Sequence, residues 1–287
     1  GGYKGNNTIQ KDYFLPSLNL KYNLNEKNSL RLGASKTYTL PQAKEISPYR
    51  YVGVNFNSQG NPNLKPSDNY NLDLKWDFNP TPTELISLTA FYKLIKNPIS
   101  RIEVASAGGY LSYENIADKA TVAGVEVEIR KNLFVRPVGN AANGINKLSL
   151  GLNGSYIYTN AKMPLATVTT GSQLEGAAPW IVNFDLSHNF TKGKRSFVNT
   201  LVLNYVSDKI YTIGTQGYQD MMEQGILTLD FVSQAKLNKH LSLNLKARNL
   251  LNPSYKLSRK ANENGEKVIL NDYKKGINIS LGVSCTF

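Results

Sequence analysis

The residues best equipped for chemistry in this 287-residue chain are charges and rings set at regular spacings. In Val125-Glu126-Val127-Glu128-Ile129-Arg130 the two carboxylates and the guanidinium fall at every second position. A strand would bring all three to one face and the three β-branched residues to the other. Such a row accepts and donates charged hydrogen bonds, and it cannot face lipid at mid-depth without a large cost. A second set, Tyr49, Arg50, Tyr51, Arg101, Tyr110 and Tyr113, combines aromatic faces with guanidinium forks. Those groups suit stacking on a ring or gripping an anion, and they equally suit packing within loops. Catalysis finds no support. His188 and His240 are the only histidines, one in a strand-like run and one beside a tight turn, with no nucleophile set or metal-ligand spacing around them. No enzyme activity, metal or cofactor is expected. Cys285 is the single cysteine and lies in an apolar row, where it reads as a small hydrophobe.

The elements that must position these residues are strands. Ile277, Ile279, Leu281, Val283, Cys285 and Phe287 alternate without a break with small or polar residues. Leu241, Leu243, Leu245 and Ala247 alternate with Ser242, Asn244, Lys246 and Arg248, and Tyr70, Leu72, Leu74, Trp76 and Phe78 do so with Asn71, Asp73, Lys75 and Asp77. Weaker alternation runs over 17–24, 29–38, 84–95, 122–131, 147–159, 180–190, 196–206 and 226–237. That makes about eleven strands of the ~9–11 residues that cross a bilayer at a tilt, longer than the usual strands of soluble sheets.

Short turns at 25–28, 79–83, 191–195 and 238–240 alternate with long polar loops at 39–68, 96–120, 160–179, 207–224 and 250–274. Transmembrane barrels connect their strands in this way, with the short turns in the periplasm. The connection 133–146 is long for its place on the short-turn side. Tyr156, Tyr158, Trp180, Phe190, Tyr205 and Phe287 fall at strand ends, where interfacial girdles sit. An odd number of strands cannot close a single-chain bacterial barrel, so the remaining strands are expected from other sequence. A soluble β-sandwich would alternate too, and the aromatic positions favour the membrane.

Mean hydropathy is −0.34, and no apolar run approaches the ~20 residues of a spanning helix. The net charge of +12 is scattered over turns and strands, with no basic helix and no nucleic-acid-binding motif, so no nucleic-acid partner is expected. Gly1, Gly2, Tyr3, Lys4 and Gly5 show neither part of a secretory signal. Either a signal is removed or the sequence begins within a longer chain.

Gly60-Asn61-Pro62-Asn63-Leu64-Lys65-Pro66-Ser67, followed by Asn69-Tyr70-Asn71-Leu72-Asp73-Leu74, resembles the "GNPxLKP, then a strand" signature of TonB-dependent receptor barrels. Leu88-Thr89-Ala90-Phe91-Tyr92-Lys93, Asn97-Pro98-Ile99, Tyr113-Glu114-Asn115 and Ala120 to Glu128 follow in the family's order. Ala247-Arg248-Asn249-Leu250-Leu251-Asn252 and a terminal Phe287 complete it. The resemblance implies an all-β, antiparallel transmembrane barrel in the bacterial outer membrane, usually of ~22 strands, of which residues 1–287 supply the C-terminal half.

It further implies a plug domain and a TonB box in the absent N-terminal region, with TonB, outer-membrane lipid and the barrel assembly machinery as partners. A surface lipoprotein lid is compatible with it. Glu126, Glu128 and Arg130 become plug contacts or wall pairs, Phe287 becomes part of the assembly signal, and the six loop residues become candidates for ligand capture. The expected function is active uptake of a scarce nutrient: a siderophore or metal chelate, a vitamin, a glycan or a peptide. The alternatives are a non-transporting barrel that serves as structural or assembly partner in a larger membrane complex, and a passive porin.

Overall fold

The computed structural model describes residues 11–104, 106, 109–139, 144–164, 173–261 and 265–286. β1 (Ser17–Asn23) turns into β2 (Asn28–Thr39), and the connection after β2 carries a one-turn helix α1 (Ala43–Ile46) and the short strands β3 (Arg50–Tyr51) and β4 (Ser58–Gln59). β5 (Ser67–Phe78) and β6 (Leu85–Lys96) form the next hairpin, followed by β7 (Ile99–Val104) and β8 (Tyr110–Asn115). The long β9 (Lys119–Pro137) and β10 (Gly144–Ala161) precede β11 (Trp180–Lys192) and β12 (Arg195–Val206). After β13 (Lys209–Thr212) and β14 (Met221–Glu223) come β15 (Ile226–Lys236) and β16 (Leu241–Arg248). β17 (Ser254–Lys260), β18 (Lys267–Lys274) and β19 (Asn278–Cys285) end the chain.

Eleven strands make one sheet in the order β1-β2-β5-β6-β9-β10-β11-β12-β15-β16-β19. These are the eleven segments that the alternation marks. All neighbouring strands of this sheet run antiparallel, and the register keeps apolar residues on one face: Leu20 faces Leu32, Leu32 faces Leu74, Val125 faces Tyr156 and Leu245 faces Leu281. Many of them are exposed, including Leu18, Leu72, Val127, Leu201, Ile279 and Val283. That is the surface of a lipid-facing wall. Among the described residues, no helix is long and apolar enough to cross a membrane.

The turns at one end are set by local chemistry. Asn25 Oδ1 accepts the backbone N–H groups of Lys27 and Asn28 at 2.9 Å, an Asx turn. Gly193 adopts φ 61° at the head of a two-residue turn between Lys192 and Arg195, a conformation glycine takes without strain. The 133–146 connection proves to be mostly strand, because β9 runs to Pro137 and β10 starts at Gly144. A bulge beside Leu148/Ser149 leaves Leu133 unpaired and shifts the alternation of β9, so Phe134 joins the apolar face.

The other end differs more from expectation. The loops read as polar and irregular hold two further four-stranded sheets, β13-β14-β17-β18 and β3-β4-β8-β7. The buried apolar cluster lies at this end, built from the loop residues Ile102, Ile116, Ala117, Leu174, Ile210 and Ile213 on Ala120 and Ala161, paired at the ends of β9 and β10. A wall with lipid on one side and a wide lumen on the other has no interior of its own. The loop residues have water on both sides and must build one.

Candidate functional site

On the face opposite the apolar one, polar side chains join into cross-strand chains. Asn153 Nδ2 donates to Glu126 Oε1 at 2.6 Å, and Asn183 Nδ2 donates to Asn153 Oδ1 at 3.3 Å, so three strands share one chain. Arg130 pairs with Glu128 at 2.7 Å. Glu126, Glu128 and Arg130 therefore lie together on the inner face with neighbouring wall residues as partners. Farther along the same face the Phe91 ring covers Gly124, where a Cβ would lie 2.4 Å from both Phe91 Cζ and the Tyr156 carbonyl oxygen.

The loop layer is knitted by pairings that join distant segments. Ile102 bridges Ile213 in parallel, with Glu103 N–H donating to Ile213 O at 3.1 Å and Ile213 N–H to Arg101 O at 3.0 Å. Arg259 forms an ion pair with Glu103, and the Thr215 hydroxyl donates to the Glu103 carbonyl oxygen. Ser58 pairs with Leu111 in parallel. The β2–β5, β6–β9, β12–β15 and β16–β19 connections thus act as one body.

Within it lies a cavity of about 610 Å³. Its aromatic wall comprises Phe56, Tyr113, Tyr211, Tyr255 and Tyr273. Tyr255 and Tyr273, opposite each other in β17 and β18, stack with centroids 5.4 Å apart. Lys44, Arg101 and Lys256 bring three positive charges against one carboxylate, Glu223, on the lining. The Arg101 guanidinium lies 4.2 Å from the Tyr211 ring centroid. Glu175 accepts both the Arg101 backbone N–H and Nη2, the latter at 3.0 Å. Arg101 Nε is buried without a hydrogen-bond partner among the described residues. A cation held in place by one carboxylate, with a donor to spare, can take an anionic ligand. Burial pushes the Glu175 carboxyl above the usual carboxylate range against the pull of Arg101, and burial pushes the Tyr113 phenol up, which keeps it a neutral donor at neutral pH.

The structure divides the six loop candidates. Arg101 and Tyr113 face each other across β7–β8 and both line the cavity. Arg50 lies over the Tyr110 ring at 5.6 Å, Lys44 lies over the Tyr51 ring at 5.4 Å, and Tyr49 is exposed; none of Tyr49, Arg50, Tyr51 and Tyr110 lines the cavity. Sequence reasoning missed Phe56, Tyr211, Tyr255, Lys256 and Tyr273. The available signal was a tyrosine at each end of the 250–274 loop, which a β-hairpin brings into register. Phe287 lies outside the described residues. No group of three or more His, Cys, Asp or Glu able to hold a metal occurs among the described residues.

Comparison with known proteins gives a consistent answer. The TonB dependent receptor-like β-barrel family model matches residues 1–250. The iron-regulated outer membrane virulence protein of Vibrio cholerae is 24% identical over 240 residues, covering 80% of this chain and 34% of that protein. In fold, the siderophore receptor PirA from Acinetobacter baumannii superposes with a TM-score of 0.60 at 17% identity, over 95% of this chain and 41% of its own. A mutant of the ferric enterobactin receptor PfeA from Pseudomonas aeruginosa gives 0.58 at 20% identity, over 95% and 40%. The chain thus spans about a third of the Vibrio relative and about two fifths of these receptors.

Proposed function

This chain belongs to the TonB-dependent receptor family of bacterial outer-membrane β-barrels, and on that premise we propose that it forms the C-terminal half of a barrel of ~22 strands that takes up an anionic ferric siderophore. Short turns face the periplasm in this reading, and the loop layer faces the medium. The observation that carries the ligand class is the loop cavity, where five aromatic rings stand beside Lys44, Arg101 and Lys256; Glu175 pairs with Arg101 and Asp272 with Lys256, so Lys44 and the Arg101 Nε, unpartnered among the described residues, are the donors left for an anion. Two of the similar structures, PirA and PfeA, are receptors for a siderophore and for ferric enterobactin, and the Vibrio relative is iron-regulated, which supports the same class. Glu126, Glu128 and Arg130 then offer charge to a plug held in the lumen, Phe287 contributes to recognition by the assembly machinery, and TonB acts through sequence N-terminal to this chain.

The test uses the full-length protein expressed from an otherwise receptor-free strain under iron limitation. Growth on one or more ferric siderophores, lost on deletion of the protein and requiring TonB, is the expected result. Growth on none of a broad panel of iron chelates, with rescue by a vitamin or glycan, would reassign the cargo.

Glu175 makes that binding pH-dependent. Its folded pKa is raised, so the folded loop layer holds the proton more tightly than an unfolded chain does. The layer therefore loses stability as pH rises from the ordinary carboxylate range through the raised value. Below that value Glu175 is neutral and Arg101 keeps its full charge for the ligand. Affinity for the ferric chelate that supports growth is expected to rise as pH falls through the Glu175 pKa. Glu175→Gln should hold the acid-side affinity at neutral pH, with a flat profile in a fluorescence titration. An unchanged slope in the variant would remove Glu175 from the account.

A further inference from the structure

At the turn end, adjacent hairpins carry cations without acidic neighbours. Arg136 lies near the tip of β9–β10, Lys192, Lys194 and Arg195 surround the β11–β12 turn, and Lys239 sits in the β15–β16 turn. The sheet order puts these three hairpins side by side. All five residues are exposed, and no Asp or Glu occurs in 130–174, 186–207 or 231–262. Among the described residues, no ion pair engages any of the five, whereas Lys131 and Arg130 just above are paired with Glu84 and Glu128.

The cations stand at a defined depth. Phe190 faces Phe197 across β11–β12 with centroids 6.5 Å apart, and Phe134 lies on the same apolar face one hairpin away. Trp180, at the loop end of β11 and packed 4.7 Å from Tyr156, is ten residues before Phe190. Ten residues at ~3.4 Å each, tilted by ~45°, span about 24 Å, the height of a barrel's apolar band. Phe134, Phe190 and Phe197 therefore mark the turn-side edge of the hydrocarbon. Arg136 follows Phe134 by two residues, Lys192 follows Phe190 by two and Arg195 precedes Phe197 by two, all on the lipid-facing side. Two residues beyond the edge is the level of the phosphates.

We propose that these hairpins form a docking surface for anionic phospholipid, phosphatidylglycerol or cardiolipin, in the leaflet that the short turns face. The lipid-facing wall runs without interruption into the cation row, and this continuity favours a headgroup over an acidic protein. The surface rests on the barrel's orientation in the membrane and is independent of the cargo. Each cation at an anionic membrane surface strengthens association by roughly fivefold.

The test is native mass spectrometry of the full-length receptor in detergent with cardiolipin, phosphatidylglycerol, phosphatidylcholine or lipid A added. Cardiolipin should be retained at least about tenfold better than phosphatidylcholine. R136Q/K192Q/K194Q/R195Q should abolish that preference, and K119Q/K162Q/K260Q/K274Q at the loop end should keep it. K192Q/R195Q alone serves if the fourfold variant does not fold, and should lose most of the preference. Full retention by the turn-end variants would overturn the proposal and free the patch for an acidic protein. So would equal loss in the loop-end variant, displacement of the lipid by millimolar inorganic phosphate, or stronger retention of lipid A than of either phospholipid.

Discussion

Arg101→Ala is expected to abolish growth on the proposed ferric siderophore and to weaken its binding by between about thirtyfold and several thousandfold. The range follows from the loss of one partner in a desolvated charge pair, which costs about 2–5 kcal/mol. Arg101 is held on two sides, by Glu175 and by the Tyr211 ring, so its position is fixed before any ligand arrives. Removing it also strands the Glu175 carboxylate in a buried place, which could loosen the loop layer by itself. Arg101→Ala combined with Glu175→Gln separates the two effects. If the double variant binds as tightly as Glu175→Gln alone, Arg101 acts only through the fold and does not touch the ligand. Arg101→Lys, which keeps the charge without the fork, should fall between the wild type and Arg101→Ala.

Gly124→Val should block assembly of the barrel. A side chain at this position meets the Phe91 ring and the Tyr156 carbonyl oxygen, both 2.4 Å from the Cβ it would carry. The ring can rotate away, but the carbonyl is part of the β9–β10 ladder and can move only with the strand. Overpacking of this kind costs about 1–3 kcal/mol where side chains can yield, and more against backbone. The readout is the heat-dependent shift of the folded barrel on a denaturing gel. Gly154→Ala in β10 is the control, because nothing lies within 4 Å of its Cβ. Normal folding of Gly124→Val, with or without Phe91→Ala, would show that the wall adapts more freely than the packing implies.

What the sequence displayed and what it concealed follow from the range of the interactions. The eleven wall strands are legible because a lipid-facing surface imposes period two on each strand separately, as Ile279, Leu281 and Val283 show. Lys131 interrupts the apolar row of β9, and its ammonium reaches Glu84 at the turn. The extension of β9 to Pro137 was hidden because the bulge at Leu133 reverses the alternation. The loop strands were hidden for another reason. β3 and β4 have two residues each, too few to show a period, and β4 joins its sheet through Leu111 of another loop. Arg101 and Tyr113 could be picked out by residue type, whereas Tyr211 enters the site through a bridge between residues 102 and 213 that sequence spacing does not announce.

The loop layer also dates the barrel's own construction. Glu103 and Arg259, its ion-paired fasteners, stand 156 residues apart in sequence, and β17 pairs with β14 of a different connection. A closure reaching that far along the chain comes late in folding, after the local hairpins have zipped. The folded epitope of the outer surface is consequently a timestamp: an antibody that reads the assembled loops counts finished walls and ignores chains still being threaded into the membrane.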